Sequence, residues 1–184
     1  MTKVIVATRG TSAVPEFAGS TWVRLQYVLG LARLGFDTYW VDRSDEIDPA
    51  AHPHSLDYLH RRFEQMARDF GFANRYCIVV GDGARHLGMS GASLEKLTSD
   101  TQLLVNVSGY LPKQSPLNRI PRRAFVDVDP GFTQIWALRW PMYLDRHNFF
   151  FTIGQNVGRP GFRIPAGSVS WHPILPPVVL DEWT

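Results

Sequence analysis

Five short apolar runs, each followed by small, polar or acidic residues, set the limits on how this chain can fold. Residues 4–7 precede Thr8-Arg9-Gly10, residues 38–41 precede Asp42, and residues 76–80 precede Gly81-Asp82-Gly83. Residues 103–105 precede Asn106-Val107-Ser108-Gly109, and residues 124–126 precede Asp127-Val128-Asp129-Pro130-Gly131. Strands covered on both faces are apolar nearly throughout, so these runs predict a buried parallel sheet. In such sheets ligands bind beyond the carboxyl ends of the strands. The residues that end each run are therefore the first candidates for a site.

Helical patterns separate most of the runs. Trp22, Leu25, Leu29 and Ala32 share one face of a predicted helix that Ser20 or Thr21 can cap and Gly35 stops. Leu56, Leu59, Phe63, Met66 and Phe70 repeat at helical spacing before Gly71. A short helix is predicted over 91–99, a turn or two over 132–140, and a sixth strand over 149–153, ending at Gly154-Gln155-Asn156. The fold class this predicts is α/β: a three-layer Rossmann-like domain over 1–156, with a mostly parallel sheet of about six strands and helices on both faces. Residues 157–177 carry Pro160, Pro165, Pro173, Pro176 and Pro177 and read as an extended linker. Residues 178–180 read as a further strand, so 157–184 is expected to lead into a second domain.

Composition excludes several function classes. A net charge of +2, with no basic run, gives no footprint for nucleic acid. No apolar stretch approaches the ~20 residues of a membrane span, and the N-terminus does not read as a signal peptide. The single cysteine, Cys77, lies in an apolar strand; no internal disulfide can form, which fits a cytoplasmic setting. None of the six histidines falls in a metal-ligand spacing, and Ser108-Gly109 lacks the hydrolase elbow.

The loop from Gly10 to Gly19 and Ser20 runs to a helix N-terminus, where free amides and the helix dipole attract anions. It lacks the G-x-G-x-x-G and P-loop spacings, which argues against a nicotinamide oxidoreductase or an ATP site. Asp42 is either a solvated strand-end acid or a ribose contact. Asp127 and Asp129 alternate along a strand and are expected to point the same way, as substrate contacts or a general base. Asp129-Pro130-Gly131 also fits a turn. No third oxygen ligand follows, so no metal is assigned. His86 is the one histidine near a predicted strand end and a candidate base; His52 and His54 read as solvated. Trp136 and Trp140 could line an apolar acceptor site.

Longer segments bear a family resemblance. Residues 19–35 resemble the first helix of GT-B-type glycosyltransferases, which runs to "GLARLGH". Residues 124–134 are similar to the "vDtDPgftQ" segment of bacterial members, and residues 151–156 to their "fTiGeNig" strand end. Trp171-His172-Pro173 with residues 176–181 resembles their interdomain linker. The match covers the chain and the N-terminal half of the family.

The resemblance implies two Rossmann-like domains facing a cleft, the N-terminal one taking the acceptor and the C-terminal one the nucleotide-sugar, with no metal and no cofactor. The chain would then be the acceptor half, inactive without the donor domain. Gly10, Gly19 and Ser20 would approach the donor phosphates or sugar. Thr133, Gln134, Gly109, Gln155, Asn156 and His86 would contact the small-molecule acceptor. Glu16, Asp127 or Asp129 would be the base. A homodimer through an exposed C-terminal face is a further expectation. The alternative is a stand-alone, non-catalytic ligand- or partner-binding domain.

Overall fold

The computed structural model describes residues 1–12, 18–44, 55–109 and 111–183. Its centre is one eight-stranded sheet: β1 (Lys3–Arg9), β2 (Asp37–Ser44), β3 (Tyr76–Val80), β4 (Arg85–Gly88), β5 (Leu103–Val107), β6 (Arg122–Asp127), β7 (Phe149–Thr152) and β8 (His172–Pro173). The spatial order is β4-β3-β2-β1-β5-β6-β7-β8. Every neighbouring pair is parallel except β3 with β4.

The helices are α1 (Ala18–Arg33), α2 (Leu56–Asp69), α3 (Gly91–Asp100) and the short α4 (Phe132–Ala137). Alternate strand residues point to opposite faces. Val4, Val6, Trp40, Ile78 and Val105 pack against Leu25 and Val28 of α1 and Phe63 of α2. Ile5, Ala7, Val41, Cys77 and Leu104 pack against Leu94 and Leu97 of α3. The chain is thus a three-layer α/β domain of Rossmann-like type. Ser55 caps α2 by accepting from the Tyr58 amide at 3.2 Å.

Four local expectations are corrected. The sheet gains β4 and β8. Residues 85–88 are too short and too polar to carry an apolar run, yet they pair antiparallel with β3 at the sheet edge. β8 is two residues including a proline, and Pro173 is tolerated because it lies on the other edge. α1 begins at Ala18, so Ser20 and Thr21 lie inside the first turn and do not cap it. Residues 178–180 do not form a strand: Val179 is buried against α1, its amide donating to Gln26 Oε1 at 2.6 Å, and Leu180–Trp183 forms a 3₁₀ turn.

The tail is bound to the sheet domain at several points. Trp171 packs edge-on to Phe125 and Phe150, and Trp183 packs edge-on to Trp22 at 5.4 Å. Arg33 of α1 pairs with Asp181, and with Glu182 at 2.8 Å. Leu175, Val178 and Leu180 remain exposed.

Candidate functional site

The chain leaves β1 toward β2 and β3 on one side, then returns to place β5 on the other side of β1. Adjacent strands whose connections diverge leave a crevice between their carboxyl ends. Two buried aspartates shape the loops around this edge.

Asp42, two residues before the end of β2, is fully buried, so it is neither a solvated acid nor open to a ribose. Its carboxylate accepts from Thr8 Oγ1 at 2.5 Å, the Ser12 amide at 2.7 Å, Ser12 Oγ at 2.6 Å and the Thr11 amide at 3.3 Å. This folds the start of the loop after β1 back onto the sheet. Gly10 takes φ +76°, a conformation glycine adopts without strain, and its amide donates to the Arg43 carbonyl at 2.8 Å. That amide is therefore engaged within the fold.

Asp127, at the end of β6, is also fully buried. It accepts from Thr133 Oγ1 at 2.7 Å, Gln134 Nε2 at 2.9 Å, Thr152 Oγ1 at 2.8 Å and the Asp129 amide at 2.9 Å. Gln134 Oε1 in turn accepts from the Gly131 amide at 2.6 Å, closing the turn into α4. Asp127 and Asp129 do not point the same way: β6 ends at Asp127, and the turn carries Asp129 out to the surface. The carboxylate of Asp127 and the amide of Gln134 are fully occupied in building this turn.

Asp129 faces a cavity of about 410 Å³ on the α1 side of the edge. Gly19, Ser20 and Arg24 of α1 line it together with Ser108, Thr133 and Trp136. Five of the sequence-predicted residues, Gly19, Ser20, Asp129, Thr133 and Trp136, therefore come together, although Thr133 commits its hydroxyl to Asp127. Burial, and then the charge of Asp127, push the Asp129 carboxyl above its ordinary value, which makes it a stronger proton acceptor.

Arg24 was not singled out from the sequence. Its Nη1 donates to the Ser20 hydroxyl, and to the Ser20 carbonyl at 3.3 Å, while its buried Nε has no partner. Burial lowers its pKa, opposed by the charge of Asp42. A partly desolvated guanidinium one turn into a helix, beside that helix's first turn, is a setting for an anion. The Ser20–Arg24 spacing was the available signal. Ser108 was also missed as a structural clamp. It sits at φ 47°, rare for a residue with a side chain, and its hydroxyl accepts from the Val128 amide at 3.1 Å.

The remaining predicted residues lie elsewhere. Gly109 is buried, and its carbonyl accepts from Asn106 Nδ2 at 2.9 Å. A side chain there would collide with Asn106 Oδ1. The same Asn106 nitrogen meets His147 Nε2 at 2.9 Å, while His147 Nδ1 lies 3.1 Å from the Tyr143 carbonyl. Nδ1 therefore carries the proton and Nε2 accepts; burial, chiefly, holds the His147 pKa down at about 4. Gln155 Nε2 donates to the Ile174 carbonyl at 2.9 Å and ties the tail to the end of β7; Asn156 is exposed beside it. His86 lies within β4, opposite Val79, and lines a separate cavity of about 250 Å³ on the α3 side. Glu16, His52 and His54 lie outside the described residues.

Cys77 is buried, donates to the Met89 carbonyl at 3.4 Å, and has its thiol pushed up to about 12 by burial, so it is no nucleophile at neutral pH. Among the described residues no three His, Cys, Asp or Glu side chains cluster to hold a metal, and no helix is long and apolar enough to cross a membrane.

Fold and edge together define a Rossmann-like α/β domain with cavities on both sides of its strand reversal. No family model, no curated protein and no solved structure matches the chain.

Proposed function

We propose that this chain is the acceptor-side domain of a GT-B-type glycosyltransferase, acting in sugar transfer from a nucleotide-sugar to the hydroxyl of a small molecule. One observation carries the reading: the 410 Å³ cavity at the carboxyl edge brings an acid, Asp129, into one lining with a cation-bearing helix start, Gly19-Ser20 with Arg24, whose buried Nε has no partner. Transfer needs both. Asp129 would take the acceptor proton as the hydroxyl oxygen bonds to the anomeric carbon and the bond to the nucleoside diphosphate breaks. The guanidinium and the α1 amides would meet the charge gathering on the leaving phosphate. A second domain would hold most of the donor, and the exposed Leu175, Val178 and Leu180 suit contact with such a domain or with a second copy.

The test is mass-spectrometric detection of glycosylated product from nucleotide-sugar and hydroxyl-acceptor panels, using the full chain with any donor domain it works with. Asp129→Asn is expected to cut turnover by about 10²-fold or more. Arg24→Gln is expected to weaken donor-dependent steps while leaving acceptor binding in place. Undiminished turnover in Asp129→Asn would remove the base assignment.

A second reading, a non-catalytic ligand-binding domain, is favoured by one fact: Asp127 and Gln134 are consumed in hydrogen bonds of the fold, leaving Asp129 the one acid on the cavity wall among the described residues. Ligand binding without any transfer across the panel would select it.

A further inference from the structure

The cavity on the α3 side is chemically unlike the one just assigned. Its floor is the sheet: Ala7 of β1 lies beside Val41 of β2, and Val79 of β3 stands two residues further along, beside Arg43. Leu94 of α3 closes one end, and the segment from Leu111 to Leu117 lies over the floor. Ala7 is the reason there is space, since a larger side chain at that strand position would fill it. Polar groups stand around it, His86, Asp82 and Gln114 among them, with the charged Arg43 and Glu95. Gly91 lies close against the His86 ring, where an added Cβ would come within 3.1 Å of it. His86 Nδ1 and Nε2 have no protein partner among the described contacts of the cavity, and the Gln114 amide is exposed.

Among the lining residues Arg43 and Asp82 offset one another in formal charge, the Arg43 guanidinium donating to the Gly81 carbonyl at 2.9 Å, and Glu95 is ion-paired with Arg119. At about 250 Å³ the cavity falls just below the usual range for drug-sized ligands, roughly 300–1,000 Å³. A slot with an apolar sheet floor, lining charges that offset one another or are ion-paired, and hydrogen-bonding groups around it suits a small flat molecule with one polar end.

We infer that this cavity binds an uncharged hydroxylated aromatic compound of one or two rings, its ring against Ala7, Val41 and Val79 and its hydroxyl toward His86 or Asp82. That the compound is the sugar acceptor rests on the function proposed above; that it binds does not.

The experiment is methyl NMR on the intact 20.9 kDa chain, titrated separately with p-cresol, 2-naphthol, benzoate and glucose, no sugar donor being present. Shifts at the Val41, Val79, Leu94 and Leu117 methyls, saturating at about millimolar p-cresol and lower 2-naphthol, are the expected result. Glucose and benzoate should leave those methyls unmoved. Gln114→Trp, an exchange at an exposed position that narrows the mouth, should weaken both phenols by about tenfold or more. Absence of these shifts, equal response to benzoate or glucose, or shifts centred on other methyls would overturn the assignment. Phenol binding without sugar transfer would sink the glycosyltransferase reading alone, and transfer without phenol binding would sink this one alone.

Discussion

Asp42 and Asp127 each hold a loop from inside the sheet, and neither could be recognised as doing so from sequence. A strand-end aspartate looks the same whether it faces solvent, ligand or its own backbone. What decides is whether hydroxyls and amides converge on it, and these come from elsewhere in the chain: Thr8 and Ser12 onto Asp42, and Thr133 and Thr152 onto Asp127. Asp127→Asn keeps one acceptor oxygen and turns an amino group toward donors. It is expected to cost at least about 2 kcal/mol, read by urea unfolding. Asp129→Asn, on the surface, should leave the unfolding midpoint nearly unchanged. His147 gives a pH signature. Its folded pKa, about 4, lies below the ordinary 6.5, so the unfolded chain binds the proton more readily. The stability it contributes is complete above pH 6.5 and is lost as pH falls toward 4, about 3 kcal/mol in all. Chemical unfolding across that window should show the slope, and His147→Gln should flatten it.

The sheet and the main helices were legible because burial writes itself into composition. β1, β3, β5 and β6 are apolar runs, and α2 repeats its apolar residues at helical spacing. The edges were not legible. β4 and β8 pair along one side only, so nothing requires them to be apolar, and their existence depends on the neighbour that recruits them. The strand expected at 178–180 failed for a related reason. Proline density forbids regular structure, yet single side chains can still dock. Gln26 of α1, polar and buried, receives the Val179 amide. Gln26→Ala would strand that amide, with an expected loss of about 1–3 kcal/mol and faster proteolysis between Pro173 and Trp183, followed by mass spectrometry.

Taken entire, the molecule is apolar on its surface in one further region. Phe132, Trp136 and Trp140 are 57%, 40% and 56% exposed, and Leu138 is 63% exposed beside them. A surface of this kind is expected to be covered in the working assembly. Sedimentation velocity should show concentration-dependent association, and Trp140→Ser together with Leu138→Ser should reduce it. A single sharp monomer at all concentrations would count against that expectation. The candidate site was only half legible for the same reason that assemblies are hard to read: Gly19, Ser20 and Asp129 announced themselves by position in sequence, whereas Arg24 mattered only once the fold had brought it into one cavity lining with Asp129.

The two interior anchors separate what holds the edge together from what the edge presents. Thr8, Thr11 and Ser12 answer to Asp42, while Thr133, Gln134 and Thr152 answer to Asp127. Gly19, Ser20, Arg24, Asp129 and Trp136 make no side-chain hydrogen bond to either aspartate among the described contacts. A lineage carrying this scaffold could therefore exchange the residues that meet a ligand, one at a time, without loosening the loops that bear them. Selectivity is free to drift where architecture is not.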